Sequence, residues 1–174
     1  MALLRILTFP DPILREKAQP VTIFDDALKT LAEDMAETMY AAPGVGLAAP
    51  QIGELKRMVL VDPHSGSQES EGPEVYINPE ILEGHGEIIC EEGCLSLPDF
   101  YEDVKRNDVI TVRAQNVEGE TFECTLEGFH AVILQHEMDH LDGVLAIDRV
   151  SRLKRALYTK KKKREARDNT MRIS

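Results

Sequence analysis

The stretch FHAVILQHEMDHL, at residues 129–141, is the most informative part of the sequence for predicting the fold. Gly128 precedes it and Asp142-Gly143 follows it, and a glycine after the last apolar residue is typical of the end of a helix. We expect this helix, which carries the motif HEMDH, to be the central helix of an α+β fold. Antiparallel strands should pack around it, and a C-terminal helix should follow.

The segments on either side predict the remaining elements. Asp25 or Asp26 can cap a helix that runs to about Ala42. Its apolar residues recur every three or four positions and should be buried: Leu28, Leu31, Met35 and Met39. Strands are expected in five short segments, at 57–62, 75–78, 85–91, 109–115 and 120–126. A third helix should begin near Ser151. Because strands do not alternate with helices, this order favours α+β over βαβ units.

Composition predicts a compact protein with a sizeable core. Of its 174 residues, 43% are hydrophobic, and this length suits one domain better than two. The N-terminal residues do not resemble an export signal, because Arg5 interrupts the apolar run and Pro10 follows soon after. No stretch approaches the ~20 apolar residues that a membrane span needs. We therefore expect a soluble, cytoplasmic protein.

Charge is distributed unevenly along the chain. Residues 149–174 hold eleven Lys or Arg and two acids, a net charge of +9, whereas residues 1–148 carry −20. A basic tail on an acidic body indicates a polyanionic partner for the tail, and a merely solvated helix end is the alternative. Three apolar residues at helical spacing are expected to anchor the start of this helix to the body: Leu153, Ala156 and Leu157. Residues 160–164 are expected to stand in solvent.

The motif QHEMDH places His136 and His140 four positions apart. Such positions differ by about 40° in direction and ~6 Å in height along a helix, so both imidazoles can bind one ion. Glu137 lies next to them, close enough to take a proton from a metal-bound water. Two ordinary surface histidines are the alternative, because H-E-x-x-H also arises by chance.

A third ligand is needed, since two imidazoles hold a catalytic ion poorly. Cys94 is the best candidate, because the neighbouring Gly93 gives its backbone freedom; a buried core thiol is the alternative. Cys90 and Cys124 are expected to be such core thiols. A Cys/His/His set leaves a fourth position open for water, which is typical of a catalytic site. Iron(II), zinc, nickel and cobalt are all compatible with these ligands.

The segment GVGLAAPQ, at residues 44–51, is rich in small side chains. Its glycines and alanines let a backbone come close to a ligand, and Gln51 offers an amide donor. A tight turn after the preceding helix is the alternative interpretation.

Together, GVGLAAPQ, EGCLS and QHEMDH, in this order, resemble the three motifs of the peptide deformylase family. The resemblance extends from the N-terminal arm to about residue 150. It implies that residues 1–150 form the catalytic domain, and that residues 151–174 add a basic C-terminal helix to the same single domain. The implied enzyme is a metal-dependent hydrolase that removes the N-formyl group from the N-terminal formylmethionine of newly synthesised proteins and releases formate.

The resemblance also implies roles for individual residues. Three residues resemble the metal ligands of the family, in which iron(II) is the usual ion: Cys94, His136 and His140. Glu137 resembles the general acid/base that assists attack of a metal-bound water on the formyl carbonyl. The Gln51 side-chain amide and the Leu95 backbone N–H resemble the donors that stabilise the oxyanion.

Substrate contacts follow from the same resemblance. The backbone around Val45 and Gly46 is expected to bind the peptide as an added strand, and Gly44 and Gly93 are expected to contact the substrate as well. Three helix residues match the wall of the methionine side-chain pocket, although they could be ordinary core residues: Phe129, Val132 and Ile133. Tyr101 stands where some family members carry an arginine that can contact the substrate, which puts any charge-based contact there in doubt.

Partners and competing functions complete the predictions. The resemblance implies N-formylmethionyl nascent peptides as substrates, a ribosomal contact through the basic tail 151–174, and a monomeric enzyme. Deletion of residues 160–174 should then spare the hydrolysis of short peptides. A metalloprotease would usually need a carboxylate as third ligand, and a non-enzymatic metal module should show four protein ligands. The order of the three motifs favours the deformylase.

Overall fold

The computed structural model describes residues 2–173, and side chains for residues 2–169. Within that range the helices are α1 (Asp26–Ala41), α2 (Gly128–Leu141) and α3 (Arg152–Ile173). The strands are β1 (Gly46–Ala48), β2 (Met58–Val61), β3 (Glu74–His85), β4 (Ile88–Cys94), β5 (Leu97–Arg106), β6 (Val109–Gln115) and β7 (Thr121–Glu127). Short 3-10 turns lie at Pro12–Arg15, Ala49–Ile52 and Ala146–Arg149.

Five antiparallel strands form the main sheet, in the order β1-β2-β3-β6-β7. Strands β4 and β5 form a separate antiparallel hairpin. Among residues 2–173, strand β1 pairs with β2 alone, so its other side is an open sheet edge. The predicted α+β class with antiparallel strands and a C-terminal helix is confirmed.

Helix α1 begins and ends as its sequence predicts. The carboxylate of Asp25 caps it by accepting a hydrogen bond of 3.0 Å from the backbone N–H of Leu28. Of the expected stripe, Leu28, Met35 and Met39 are buried, whereas Leu31 is only half-buried at the border of the core. The helix therefore presents one apolar face to the sheet.

The main sheet is covered on both faces, and strand β2 shows why. Alternate side chains of a strand point to opposite faces of its sheet. All four residues of the β2 sequence MVLV are buried, so both faces must be covered. Met58 and Leu60 belong to the core cluster that includes α1. Val59 and Val61 belong to the cluster that includes α2. Helix α2 is thus the central helix that was expected.

The strand predictions were wrong at three places. Strand β1 and strand β5 were not predicted, and the expected strand at 85–91 spans the end of β3 and the start of β4. The sequence LPDFYEDVKR of β5 is hard to recognise, because the residues between its buried Leu97, Phe100 and Val104 are mostly charged. Strand β1 is too short for a periodic pattern to appear.

Two cysteines differ from their expected environment. Cys90 and Cys124 were predicted to be core thiols, and both are only half-buried. Cys90 lies on the β4–β5 hairpin, which stands apart from the main sheet. Cys124 lies on β7, the other edge strand, and packs at the border of the core.

The attachment of helix α3 also differs from the prediction. The expected anchors are exposed: Leu153 is 68% and Leu157 is 60% exposed, and Ala156 is exposed as well. Instead, half-buried Tyr158 and buried Lys162 face the body of the protein. Lys162 was expected in solvent, but Asp99 of the body pairs with it, and its Nζ lies over the ring of Tyr158 on the same helix. Among residues 2–173, no helix is both long and apolar enough to cross a membrane.

Candidate metal centre and active site

Helix α2 and the end of strand β4 bring the three predicted ligands together. The Sγ of Cys94 lies 3.4 Å from Nε2 of His140. The ligand atoms of Cys94, His136 and His140 all lie within 4.8 Å of one another, and no other such group occurs among the described residues. Both imidazoles are buried, at 7% exposure for His136 and 1% for His140. They are therefore not ordinary surface histidines.

The electrostatics of this group suit a cation. Burial lowers the pKa of His140 well below its ordinary value, so its imidazole is neutral and has a lone pair to donate. Burial also opposes charge on His136, but the negative charges of Cys94 and Glu137 outweigh it and raise its pKa well above the ordinary value. A buried pocket that attracts positive charge, lined by one sulfur and two nitrogen donors, fits a divalent metal ion.

A carboxylate behind His136 fixes the orientation of its ring. Nδ1 of His136 lies 2.9 Å from Oε1 of Glu92. Burial would raise the pKa of Glu92, but hydrogen bonds from Arg106 and His136 outweigh it and lower the pKa to about 2. Glu92 is thus a permanent acceptor, so Nδ1 carries the proton and Nε2 is left for a metal.

The same network extends from the site to the surface. The Arg106 guanidinium donates to both carboxylate oxygens of Glu92, at 2.8 Å each, and to Oδ2 of Asp139 at 2.6 Å. Arg149 reaches Asp139 from the outside. Sequence analysis missed this chain of charges. Glu92 and Asp139 stand inside the quoted motifs, but Arg106 has no local signal, because only the β4–β5 hairpin brings it to Glu92.

Gln51 is oriented by a backbone group. Its Oε1 accepts a hydrogen bond of 2.8 Å from the N–H of Ala48, and an N–H can only donate. The Nε2 of Gln51 must therefore point the other way, where it lies 3.0 Å from Oγ of Ser96 and 3.8 Å from Sγ of Cys94. Ser96, another residue that sequence analysis missed, thus helps to hold the amide beside the three ligands.

Glu137 is a buried carboxyl group with an unusual proton affinity. It is 4% exposed, and its Oε1 lies 3.9 Å from Nε2 of His140 without a hydrogen-bond partner among the described residues. Burial raises its pKa to about 7. A carboxyl group with this pKa can both accept and donate a proton at neutral pH.

Gly46 makes room for Glu137. A Cβ atom built on Gly46 would lie 2.6 Å from Oε2 of Glu137 and 2.9 Å from Cγ2 of Ile133. Only glycine allows strand β1 to approach helix α2 so closely. The segment GVGLAAPQ is therefore more than a turn after α1, because it forms one side of the site.

Two adjoining cavities open onto this group of residues. The first, of about 280 Å³, contains Gln51, Leu95 and Tyr101 in its lining. The second, of about 180 Å³, is a smaller space against helix α2. Every residue predicted to contact substrate lines one or both of them: Gly44, Val45, Gly46, Gly93, Phe129, Val132 and Ile133. The ring of Tyr101 covers Gly93 at the mouth of the first cavity, and its side chain is 67% exposed.

Comparison with known proteins identifies the family. The sequence pattern of the polypeptide deformylases matches residues 3–156. The chain belongs to the polypeptide deformylase family. A peptide deformylase of Zymomonas mobilis is 49% identical, over 98% of this chain and 99% of its own length. Peptide deformylase 2 of Xanthomonas campestris is 50% identical, over 92% of this chain and 95% of its own length.

Solved structures agree with this family. A peptide deformylase from Legionella pneumophila superimposes with a TM-score of 0.87 at 45% identity, covering 97% of this chain and 98% of its own. A plant peptide deformylase superimposes with a TM-score of 0.90 at 34% identity, covering 96% of this chain and 92% of its own. The chain is thus an enzyme of the deformylase family, and the cluster of Cys94, His136 and His140 is its possible metal site.

Proposed function

We propose that this enzyme removes the formyl group from the N-terminal formylmethionine of newly synthesised proteins and releases formate. The observation that carries the proposal is the convergence of Cys94, His136 and His140 beside the buried carboxyl of Glu137. Family membership supports the reaction, and the cavities that open onto this group give a peptide end access to it.

Cys94, His136 and His140 would hold one divalent ion, with iron(II) as the first candidate and zinc, nickel or cobalt as the others. When bound, such an ion supplies a Lewis acid and lowers the pKa of a coordinated water. Glu92 supports this role, because it leaves Nε2 of His136 free to coordinate.

Glu137 is the proposed proton carrier. Its pKa of about 7 suits a group that takes a proton from the attacking water and gives it to the leaving amine. The Nε2 of Gln51 and the backbone N–H of Leu95 are the proposed donors to the formyl oxygen, where negative charge develops. The fixed orientation of Gln51 supports this assignment, because a donor that is already in place needs no reorganisation.

The peptide is proposed to lie along strand β1. Among the described residues β1 pairs with β2 alone, so its other edge suits an added strand at Gly46. Gly44 and Val45 directly precede this strand, and Gly93 lines the same cavity. The methionine side chain is placed in the smaller cavity, against three apolar residues of α2: Phe129, Val132 and Ile133. This arrangement brings the N-terminal end of the peptide next to Glu137.

The outer face of α3 is proposed to contact the ribosome. Four cations follow one another there at helical spacing, and no ion pair joins them to another described residue: Lys160, Lys163, Arg164 and Arg167. The inner cations, by contrast, are paired with acids of the body, such as Lys154 with Glu102. A free cationic face suits the phosphates of RNA. We also propose that the enzyme is a monomer. Because it would act on nascent chains, its proposed location is the cytoplasm.

A direct assay tests the proposed reaction. The metal-loaded enzyme is incubated with a formylmethionyl tripeptide, and formate release is measured beside the same tripeptide with an acetylated or a free N-terminus. We expect formate and a free amine from the formylated peptide alone. Cleavage between residues of the peptide would point to a protease, and an inert enzyme would refute the proposed reaction.

A further inference from the structure

The inner face of α3 lies against strand β5 directly after the turn that carries Cys94. The hydroxyl of Tyr158 donates a hydrogen bond of 2.7 Å to the carbonyl of Pro98. Its ring packs edge-on against Phe100, with centroids 5.5 Å apart, and against Phe9 at 5.9 Å. One side chain of α3 thus contacts both β5 and the N-terminal arm.

Lys162, one turn further along the same face, holds the residue between Pro98 and Phe100. Its Nζ lies 2.8 Å from Oδ2 of Asp99, and its side chain is only 5% exposed. Asp99 has a φ of 64°, in the left-handed region that is unfavourable for a residue other than glycine. A buried cation at this point offsets part of the cost of that backbone conformation.

A short series of contacts connects these residues to Cys94, the proposed metal ligand. Cys94 pairs directly with Leu97 across the β4–β5 turn. Leu97 and Phe100 form a buried cluster against which both Cys94 and Tyr158 pack. A shift of residues 98–100 would therefore displace Cys94 as well.

We propose that Tyr158 and Lys162 are positioning residues, through which helix α3 holds the β4–β5 turn so that Sγ of Cys94 stays near His136 and His140. The inference rests on the proposed metal-binding function, and extends it to a part of the chain outside the three motifs.

The test measures metal retention rather than turnover. Tyr158→Phe removes the hydrogen bond but keeps the ring, and Lys162→Met removes the charge but keeps the chain length. Leu157→Ala, at an exposed position next to Tyr158, is the control. Each full-length protein is loaded with cobalt(II), and its transfer to a chelator and the absorption of its cobalt–sulfur bond are recorded. We expect about tenfold faster release and an altered spectrum in the two variants, the scale for partners that orient ligands, and neither change in the control.

A double-variant comparison separates positioning from folding. Asp99→Asn keeps a residue that tolerates the left-handed backbone but removes the ion pair with Lys162, so it should speed cobalt release. Because Asp99→Asn and Lys162→Met remove the same ion pair, the double variant should release cobalt no faster than the faster of the two single variants. Wild-type release rates and spectra in Tyr158→Phe and Lys162→Met would overturn the inference, as would an equal change in Leu157→Ala. Failure of the wild-type protein to bind cobalt would overturn the proposed function itself, and the inference with it.

Discussion

At the scale of single residues, desolvation sets the protonation of His140 and Glu137, whereas neighbouring charges and hydrogen bonds set that of His136 and Glu92. Burial keeps His140 neutral and raises the pKa of Glu137 to about 7, although the two side chains are neighbours. The same buried environment therefore leaves His140 free to coordinate a metal and lets Glu137 exchange a proton near neutral pH. Substitutions of single residues should separate these two roles.

Replacing Cys94 tests the metal assignment. Cys94→Ala removes the only sulfur donor of the cluster and leaves two imidazoles, which hold a catalytic ion poorly. We expect one ion per wild-type chain and near-complete loss in the variant, measured by elemental analysis after dialysis. Cys90→Ala, which changes a cysteine on the same strand outside the cluster, is the control. Full occupancy in Cys94→Ala would contradict the assignment.

Replacing Glu137 tests the proton transfer. Because Glu137 is a proton carrier rather than a ligand in the proposed mechanism, Glu137→Ala should retain the metal. Its rate of formate release should fall at least ~100-fold, the scale of general acid/base catalysis. Turnover and metal content must be measured on the same preparation. Near-normal turnover would refute the role, and loss of the metal would show that Glu137 also acts as a ligand.

Gly46 allows a steric test of the same carboxyl group. In Gly46→Ala the new methyl group would lie 2.6 Å from Oε2 of Glu137, so the carboxylate must move. A displacement of about 1 Å can cost on the order of 100-fold in rate, and we expect a loss of this size in kcat with the metal retained. Gly44→Ala should cost less, because its methyl group would meet only the flexible end of Leu95. Equal losses in both variants would contradict this explanation.

At the scale of elements, the local patterns were predictable and the contacts between distant segments were not. The spacing of His136 and His140 and the cap at Asp25 lie within one helical segment, so sequence predicts them. Arg106 and Lys162 could not be found in this way. Each is an ordinary surface cation by composition, and its partner becomes visible only when β5 is placed beside α2 or α3.

The turn before α3 gives a pH-dependent prediction. Asp148 accepts hydrogen bonds from Arg15 at 2.5 Å and from the backbone of Leu145 at 2.9 Å. Burial would raise its pKa, but these bonds outweigh it and lower the pKa below the ordinary value. A carboxyl group whose pKa is lower in the folded than in the unfolded protein adds stability at pH values above its unfolded pKa. That stability is lost as the pH falls through the folded pKa.

Asp148→Asn should therefore lower the free energy of unfolding at pH 6, by on the order of 1–2 kcal/mol, the scale of hydrogen bonds to charged groups. The difference from wild type should shrink as the pH falls below 4, where the carboxyl group protonates. Urea unfolding of both proteins at several pH values measures it. A difference that stays constant down to pH 3 would show that the charge of Asp148 contributes nothing.

At the scale of the whole molecule, α3 divides its cations between two faces. Its inner cations neutralise acids of the body, as in the pairs Lys154–Glu102 and Lys162–Asp99. Its outer cations form no ion pair with another described residue and are available to a partner. Deleting residues 160–174 would remove both sets at once, including buried Lys162. Truncation therefore cannot separate recognition from positioning, and substitutions on the outer face are the better experiment.

Neutralising the outer face tests the ribosomal contact. Glutamine at Lys160, Lys163, Arg164 and Arg167 should leave hydrolysis of a free tripeptide unchanged and weaken cosedimentation with ribosomes. The slope of the logarithm of the binding constant against the logarithm of the salt concentration should also become less steep, by up to ~0.9 for each phosphate contact that is lost. Glutamine at four exposed cations of the body is the matched control: Arg5, Lys17, Lys29 and Lys56. Equal ribosome binding by all three proteins would leave the tail without this role.

The open edge of β1 bears on how one enzyme can process many different proteins. The strand is three residues long, and the groups on its free side belong to the main chain. Every amino acid except proline can make the same main-chain hydrogen bonds, so in the proposed binding mode a peptide would be held largely irrespective of its sequence. Selection would then fall to the first residue of the peptide and its formyl group. The enzyme would thus be selective for the first residue of its substrate peptide and tolerant of the sequence that follows.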